Sequence, residues 1–215
     1  MLTSKVMLPK DKTVKQLMFF AHGYGSNADD LLDLARVYRQ HFPDMGFVSV
    51  NAPLPVYQNG YAWFELEAFS DTFVAEAYLR QLAQRAERPA KALSDFIDQT
   101  CQKFSVSPSD VILTGFSQGS LISLYSALIS PQAIKAVIAF SAVPLWTDRI
   151  KGNSVFPVLL THGTADPVIP PSAVDITVSQ LKKQGFKPEV FWQPNMGHAI
   201  NEACLNKSIS FLKKI

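Results

Sequence analysis

Short apolar runs alternate with amphipathic helical patterns along nearly the whole chain. The runs predict buried strands, and they occupy residues 14–21, 46–50, 111–113, 136–142, 158–161 and 188–192. Apolar positions at helical spacing predict helices between them, over residues 31–38, 74–104, 121–129, 170–183 and 199–213. Strands and helices that alternate at this pitch indicate an α/β fold with a mostly parallel, doubly wound sheet.

Three segments depart from this alternation. Residues 5–9 and 14–21 are joined by a polar turn, which predicts an antiparallel hairpin at the edge of the sheet. Pro89 predicts a break or a new first turn within the 74–104 helical pattern. Residues 57–73 have no regular period but many aromatic side chains, and irregular segments of this length are usually functional or mobile.

Composition and charge narrow the class of protein. A chain of 215 residues, 47% hydrophobic and 18% charged, is typical of one compact domain over residues 1–215. Its formal net charge of +2, without a basic run, argues against a nucleic-acid or lipid-headgroup partner. No apolar run approaches the length of a membrane span, and the N-terminus lacks the apolar core of a signal peptide. We therefore expect a cytoplasmic protein without stable membrane insertion.

The two cysteines are consistent with a cytoplasmic protein. Cys101 and Cys204 are far apart in the sequence and have no metal-ligand spacing around them. This favours free, buried thiols in a reducing cytoplasm. A disulfide between them would require the two to meet in space, which stays open at this point.

The sequence Gly115-Phe116-Ser117-Gln118-Gly119 lies between the 111–113 strand and the 121–129 helix. Two glycines at this spacing around a serine allow a tight strand-to-helix turn without side-chain clashes. The serine can then hold a strained backbone with its hydroxyl pointing out of the sheet, as in the nucleophile elbow of α/β-hydrolases. Ser117 is therefore the predicted nucleophile.

A serine nucleophile needs a general base, because its hydroxyl is a poor nucleophile at neutral pH. In the α/β-hydrolase order, the carboxylate and then the histidine follow the serine along the chain. His198 follows the last predicted strand and precedes the last helix, which is where the base belongs. The other histidines, His22, His41 and His162, do not fit this order of elements.

The carboxylate should accept a hydrogen bond from Nδ1–H of His198 and stabilise the imidazolium that forms during attack. Asp166 comes directly after a predicted strand, in the position that this role requires. The competing acids are Asp148, in a polar loop after a different strand, and Asp175, within a helical pattern. Asp166 is the predicted third member of the triad.

Acyl transfer also needs donors that point at the developing oxyanion. The backbone N–H of Gln118, at the start of the helix after the elbow, is one predicted donor. The other is the N–H of Tyr24, in a loop whose glycines allow the backbone to approach a ligand closely. That loop lacks the lysine of a phosphate-binding loop, and we expect neither a metal nor a cofactor.

Four segments together resemble the acyl-protein thioesterase/carboxylesterase family of small serine hydrolases. They are HGYGSN at 22–27, NAPLPVYQNGYAWFELE at 51–67, LTGFSQGSLISL at 113–124, and THGTADPVIP with MGHAI at 161–170 and 196–200. The resemblance implies an α/β-hydrolase fold with the same triad and oxyanion donors. It also implies a hydrolase without a large lid, acting on small-molecule or lipid esters or thioesters of medium to long acyl chains, or on acylated proteins.

Two positions depart from the family's pattern. Ser120 stands where the family usually has a second glycine after the elbow, and Ser141-Ala142-Val143 where it usually has serine, glycine and an aromatic residue. Both affect the shape of the acyl pocket rather than the triad.

The aromatic segment suggests where an acyl chain could lie. We predict an open acyl groove from seven side chains that are more apolar than solvated loops require, namely Leu54, Trp63, Phe64, Phe69, Val143, Leu145 and Trp146. The alternative is that Trp63 and Phe64 pack onto the sheet as core. An apolar groove with aromatic rims could also serve as the surface of a weak homodimer.

Two other functions stay open beside an esterase or thioesterase. A hydrolase fold that has become a ligand-binding protein normally loses a member of the triad, whereas all three residues are present here. A related hydrolase such as a peptidase or lactonase would use the same triad. A peptidase, however, usually needs an extra domain or a charged recognition site, for which this chain leaves little room.

Overall fold

The computed structural model describes residues 2–11, 13–57, 59–66, 75–148 and 154–215. Its main sheet is built from Thr3–Met7 (β1), Gln16–Ala21 (β2), Met45–Asn51 (β3), Val111–Phe116 (β6), Ala136–Phe140 (β7), Val158–Gly163 (β8) and Glu189–Gln193 (β9). Between β3 and β6 in the chain, Leu54–Pro55 (β4) and Tyr61–Ala62 (β5) pair as a small separate hairpin. In the main sheet the strands follow the order β1-β3-β2-β6-β7-β8-β9.

Helices cover both faces of this sheet, and they are Ala28–His41 (α1), Glu76–Phe104 (α2), Gln118–Ile129 (α3), Ser172–Lys183 (α4) and Glu202–Leu212 (α5). Successive residues of a strand point to opposite faces. Phe19 of β2 accordingly joins the core shared with α2, α3 and α4, and Phe20 joins the core shared with α1 and α5. The predicted doubly wound, mostly parallel sheet is confirmed.

The N-terminal edge differs from the prediction. β1 is antiparallel, but it pairs with β3, with Thr3 opposite Asn51 and Met7 opposite Phe47. β2 instead lies between β3 and β6 and is parallel to both. The predicted hairpin between the first two strands is therefore wrong. β2 is buried along nearly its whole length and needs a neighbour on each side, whereas the half-exposed β1 fits an edge.

Helix α2 continues through Pro89 without a break. Proline in a helix interior costs about 3 kcal/mol because it removes a hydrogen bond and crowds the preceding turn. Here the surrounding face of the helix is fully buried, at Ala86 and Ala90, and Ser126 Oγ of α3 donates to the Ala90 carbonyl at 2.9 Å. Packing on both sides of the proline holds the helix together, so the predicted break is also wrong.

Cys101 in α2 and Cys204 in α5 pack into the cores on opposite faces of the sheet. Both thiols are free and buried, which confirms that part of the prediction and excludes a disulfide between them. Burial raises the pKa of the Cys101 thiol to about 11 and also raises that of Cys204. Among the described residues, no helix is both long enough and apolar enough to cross a membrane.

Candidate active site

Ser117 lies in the turn between β6 and α3. Its backbone has φ 52° and ψ −120°, a conformation that costs a non-glycine residue about 1–3 kcal/mol. The flanking glycines let three chain segments meet at this turn. A Cβ atom at Gly115 would overlap the Gly119 carbonyl, and a Cβ at Gly119 would overlap the carbonyl of Ala21 at the end of β2. The surrounding packing thus sustains the strain at the serine.

His198 and Asp166 form a hydrogen-bonded pair, with His198 Nδ1 2.8 Å from Asp166 Oδ2. The other carboxylate oxygen, Oδ1, accepts from the N–H groups of Val168 and Ile169, each at 2.9 Å. A carboxylate oxygen accepts, so Nδ1 carries the proton and Nε2 of the neutral imidazole is left with a lone pair. The Asp166 side chain is fully buried, whereas that of His198 is 17% exposed. The pair thus presents a partly accessible base held by a fixed carboxylate.

A second histidine supports the turn that carries Asp166, and sequence reasoning missed it. His162 Nε2 lies 2.9 Å from the Ile169 carbonyl and 3.6 Å from Asp166 Oδ2. Burial lowers the pKa of His162, so the ring is neutral and its contact with Asp166 is not an ion pair. Nε2–H donates to Ile169, and Nδ1 has no hydrogen-bond partner in the described part of the chain. His162 therefore fixes the turn rather than transferring protons.

The two predicted oxyanion donors occupy neighbouring segments. Gln118 is the first residue of α3, where the helix dipole favours negative charge, and Tyr24 lies in the loop after β2. Within the described residues, neither backbone N–H donates to another main-chain group. The loop approaches the elbow closely at Gly23, where a Cβ atom would lie 3.1 Å from Phe116 Cδ1 and 3.4 Å from Ser117 Cβ.

Buried hydrogen bonds hold the start of the Tyr24 loop. His22 Nε2 accepts from the Ala52 N–H at 3.0 Å, so Nδ1 carries the proton and donates to the Gly23 carbonyl at 2.7 Å. Burial lowers the pKa of His22, which keeps the ring neutral. The sequence had excluded His22 as the base, which agrees with these contacts. Both of its ring nitrogens make hydrogen bonds, so the side chain holds the loop in place.

The other end of the loop rests on the β4–β5 hairpin. The Gly25 N–H donates to the Tyr61 carbonyl at 2.9 Å, and the Tyr61 N–H donates to the Ser26 carbonyl at 2.7 Å. The hairpin can approach this closely because Gly60 has no side chain, since a Cβ there would overlap the Gly25 carbonyl. Gly60, far from the predicted triad in the sequence, thus helps to set the position of the predicted donor Tyr24.

Ser117 and His198 line the same cleft, with a volume of about 510 Å³. The rings of Phe116 and His198 lie 4.8 Å apart between centroids. The rest of the lining is mostly apolar and comes from Gly23, Tyr24, Ser26, Leu31, Leu34, Leu66, Phe116, Val168 and Ile200. The contribution of α1, through Leu31 and Leu34, was missed. Its signal was the helical pattern directly after the glycine loop, which brings the start of α1 to the carboxyl edge of the sheet.

Most of the predicted groove residues lie elsewhere. Trp63, Phe64, Val143 and Leu145 are at most 5% exposed and belong to the core between the sheet and helices α2, α3 and α4. None of these four side chains lines the cleft that contains Ser117, so the predicted groove is corrected there. Trp63 and Phe64 border instead, with Leu54, a groove of about 710 Å³ between the β4–β5 hairpin and α2. The burial of Trp63 and Phe64 matches the alternative that the sequence left open.

The remaining predicted groove residues are also outside the cleft or undescribed. Leu54 is 38% exposed and borders the same groove as Trp63 and Phe64, and Leu66 lines both this groove and the cleft. Trp146 is half-buried and lies between the cationic groups of Arg80 and Lys183, 5.8 Å and 6.0 Å from its ring centroid. Phe69 lies outside the described residues. The apolar surface near Ser117 therefore comes from other residues than those predicted.

A strained serine at a strand-to-helix turn and an Asp–His pair, at the carboxyl edge of a doubly wound sheet, define the α/β-hydrolase class. The family model of phospholipases and carboxylesterases matches residues 2–215. The chain belongs to this family, which confirms the resemblance in its sequence.

Individual relatives agree with this assignment. Acyl-protein thioesterase 1 of Mycosarcoma maydis is 29% identical, over 92% of this chain and 90% of that protein. Acyl-protein thioesterase 1 of Candida albicans is 28% identical, over 100% of this chain and 99% of that protein. The crystal structure of esterase PE8 superposes with a TM-score of 0.90 and 32% identity, over 100% of this chain and 99% of that one. The Bacillus cereus carboxylesterase, at 20% identity over 100% of this chain and 94% of that one, shares the fold with a TM-score of 0.80.

Proposed function

We propose that this chain is a serine hydrolase that cleaves carboxylic esters or thioesters through an acyl-enzyme intermediate. The observation that carries the proposal is the 2.8 Å contact between His198 Nδ1 and Asp166 Oδ2, beside a cleft that also contains the strained Ser117. Membership of the phospholipase/carboxylesterase family supports it, as do relatives named acyl-protein thioesterase and esterase.

In the first half of the reaction, Ser117 Oγ attacks the acyl carbon while His198 Nε2 takes the hydroxyl proton. Asp166 stabilises the imidazolium, and the N–H groups of Tyr24 and Gln118 donate to the oxyanion of the tetrahedral intermediate. This intermediate collapses as the bond to the leaving group breaks. The departing alkoxide or thiolate receives the proton from His198, and the acyl group stays on Ser117.

In the second half, a water molecule attacks the acyl-enzyme while His198 Nε2 takes its proton. The second tetrahedral intermediate uses the same two donors. Its collapse breaks the bond between the acyl carbon and Ser117 Oγ, which takes the proton back from His198. The carboxylic acid leaves, and the enzyme returns to its starting state.

The cleft supports medium to long acyl chains as substrates. Leu31, Leu34, Leu66, Val168 and Ile200 give it a continuous apolar lining. Each buried CH₂ contributes up to about 0.8 kcal/mol, so kcat/KM should rise up to about fourfold per methylene until the cleft is filled. The names of the relatives favour an acylated protein as the natural substrate, and the family's description as phospholipases and carboxylesterases favours a lipid ester. Cytoplasmic location and a homodimer stay predictions.

The test combines an activity probe with a substrate series. A fluorophosphonate should label wild-type protein at Ser117 and leave Ser117→Ala unlabelled, with unchanged melting temperature. For esters and thioesters with acetyl to decanoyl chains, kcat/KM should increase with chain length. The matching amides should be the poorest substrates. Absence of Ser117-dependent turnover would favour the binding protein, and faster cleavage of amides or lactones would favour the peptidase or lactonase.

Val168 offers a sharper test of the acyl site, because its side chain is 39% exposed and lines the cleft. Val168→Phe should fill part of the cleft and shift the optimum to shorter chains without loss of the best kcat. Val143→Ala should leave the chain-length profile unchanged, because Val143 does not line the cleft. A series that is flat from acetyl to decanoyl would contradict the acyl site but not the triad.

A further inference from the structure

The side chain of Gln118 spans from the elbow to the aromatic segment after β5. Its Oε1 accepts from the Trp63 N–H at 2.9 Å, and its Nε2 donates to the Phe64 carbonyl at 2.7 Å. Both contacts are buried, and the side chain uses a donor and an acceptor at once. The same residue supplies, through its backbone N–H, one of the two proposed oxyanion donors.

Trp63 continues this connection to the other donor. Its indole Nε1–H donates to the His22 carbonyl at 2.9 Å. That carbonyl belongs to the peptide bond between His22 and Gly23, and the Tyr24 N–H belongs to the next peptide bond. Trp63 therefore contacts both segments. Its backbone N–H contacts the Gln118 side chain, and its indole N–H contacts the loop that contains Tyr24.

Burial makes this connection rigid. Trp63 and Gln118 are each 1% exposed and His22 is fully buried. A buried polar group that loses its partner is left desolvated and unpaired, which is unfavourable, so these groups hold their geometry. The His22 and Trp63 rings also pack together, with centroids 5.9 Å apart. Oxyanion stabilisation depends on donors that are fixed before the charge develops.

We propose that the Gln118 side chain and Trp63 form a brace that fixes the two oxyanion donors relative to each other. Both side chains are then positioning residues for the transition state, in addition to their packing roles. This proposal rests on the proposed function, because it assigns the oxyanion to the Tyr24 and Gln118 N–H groups.

The first test is Trp63→Phe, which removes the indole N–H and keeps an aromatic ring in the core. We expect kcat for a short-chain ester to fall about 10-fold, a fraction of the 10²–10³ loss when a whole donor is removed, with KM within about twofold. The pH dependence of kcat/KM should keep its midpoint, because the Asp166–His198 pair is untouched. Tyr38→Phe is the matched control, since it removes a buried 2.6 Å contact with Ser208 Oγ on the other face of the sheet.

An alkyl trifluoromethyl ketone separates positioning from packing. Ser117 Oγ adds to its carbonyl carbon, the hydroxyl proton moves to His198 Nε2, and the ketone oxygen becomes an oxyanion. The matching methyl ketone occupies the cleft largely without forming this adduct. Trp63→Phe should weaken binding of the trifluoromethyl ketone about 10-fold and leave the methyl ketone unchanged, whereas Tyr38→Phe should change neither.

Gln118→Met provides a second variant that keeps the backbone N–H and removes both side-chain contacts. It should lower kcat and trifluoromethyl-ketone affinity by a similar factor. In the double variant with Trp63→Phe, the fold-loss in kcat should be much smaller than the product of the two single fold-losses, because both substitutions break the same brace.

The outcomes are distinct. Both variants could have a lower melting temperature, as expected for Tyr38→Phe, but unchanged kcat and trifluoromethyl-ketone affinity. That result would overturn the brace and leave the hydrolase function standing. Losses that simply multiply in the double variant would overturn the coupling. Wild-type protein without Ser117-dependent hydrolysis would overturn the proposed function, and the brace with it.

Discussion

The loop after β2 and the loop after β9 each place a histidine at the carboxyl edge of the sheet. In the first loop, both ring nitrogens of His22 are occupied, by the Gly23 carbonyl and the Ala52 N–H. In the second, Nδ1 of His198 is occupied by Asp166, and Nε2 has no hydrogen-bond partner among the residues that the structure describes. His22 is fully buried, whereas the His198 side chain is 17% exposed. His22 therefore has a structural role, whereas His198 has a ring nitrogen that is available for the proposed proton transfer.

The glycines show how each loop is held. A Cβ at Gly60 would overlap the Gly25 carbonyl of the first loop, and a Cβ at Gly163 would overlap the Met196 carbonyl of the second. A Cβ at Gly197, in the second loop itself, would meet nothing closer than 3.8 Å. Neighbouring backbone therefore fixes both loops, as a preorganised oxyanion hole and a proton-transferring base would require.

The largest effect should come from His198→Ala. We expect kcat to fall roughly 10⁴-fold or more, as on removal of a triad base, with a change in folding stability of about 1 kcal/mol or less. His22→Ala should instead reduce the free energy of unfolding by about 1–3 kcal/mol, because the Ala52 N–H loses its buried acceptor. Steady-state kinetics and urea unfolding of both variants check this, and an active His198→Ala would break the comparison.

Asp166→Asn should have the next largest effect. The amide oxygen can still accept from Val168 and Ile169, but the NH₂ group then faces His198 Nδ1 and favours the wrong tautomer. We expect kcat to fall by about 10⁴-fold at an unchanged melting temperature. Asp175→Asn, in α4, is the control and should keep normal turnover. The opposite result for these two variants would show that the carboxylate is misassigned.

Gly60→Ala should have a smaller effect, although it lies outside the triad. The added methyl group forces the β4–β5 hairpin away from Gly25 and shifts the Tyr24 donor, so we expect kcat to fall about 10- to 100-fold. Gly197→Ala, next to the base, should stay within about twofold of wild type. Equal effects of the two substitutions would show that the close approach of Gly60 to Gly25 does not set the position of the donor.

The smallest effect should be a dependence of stability on pH. Burial lowers the pKa of both His22 and His162 from the ordinary 6.5, so below pH 6.5 the unfolded chain binds protons that the folded chain does not. Stability is therefore complete above that pH and is lost as pH falls towards the folded values, by up to about 1.4 kcal/mol per pH unit for each histidine.

Urea unfolding between pH 7.5 and 5.5 measures this slope. His22→Asn should reduce it, and Tyr38→Phe should lower stability without changing it. An unfolding free energy that does not vary over this range would contradict the buried, neutral state of the two histidines.

The sequence predicted the elements and the order of the triad residues because both depend on local patterns. Strand and helix periods mark β6 and α3, and the glycines around Ser117 mark the turn between them. Neighbours in the sheet are not local, which is why the partner of β1 was wrong. Side-chain burial is not local either. Trp63 is held in the core by bonds to His22 and Gln118, 41 and 55 residues away in the chain, and its apolar surface alone suggested a groove.

The pairing of β1 with β3 has a consequence for how the chain folds during synthesis. Met7 is opposite Phe47 and Thr3 is opposite Asn51, so β1 has no partner until β3 has left the ribosome. Long-range pairing of this kind is slow because loop closure must come first. The strand stays unpaired in the meantime, and Lys5 at its centre is the kind of charged residue that keeps an exposed strand from aggregating. β1 therefore joins the sheet only after β2 and β3 have both been made.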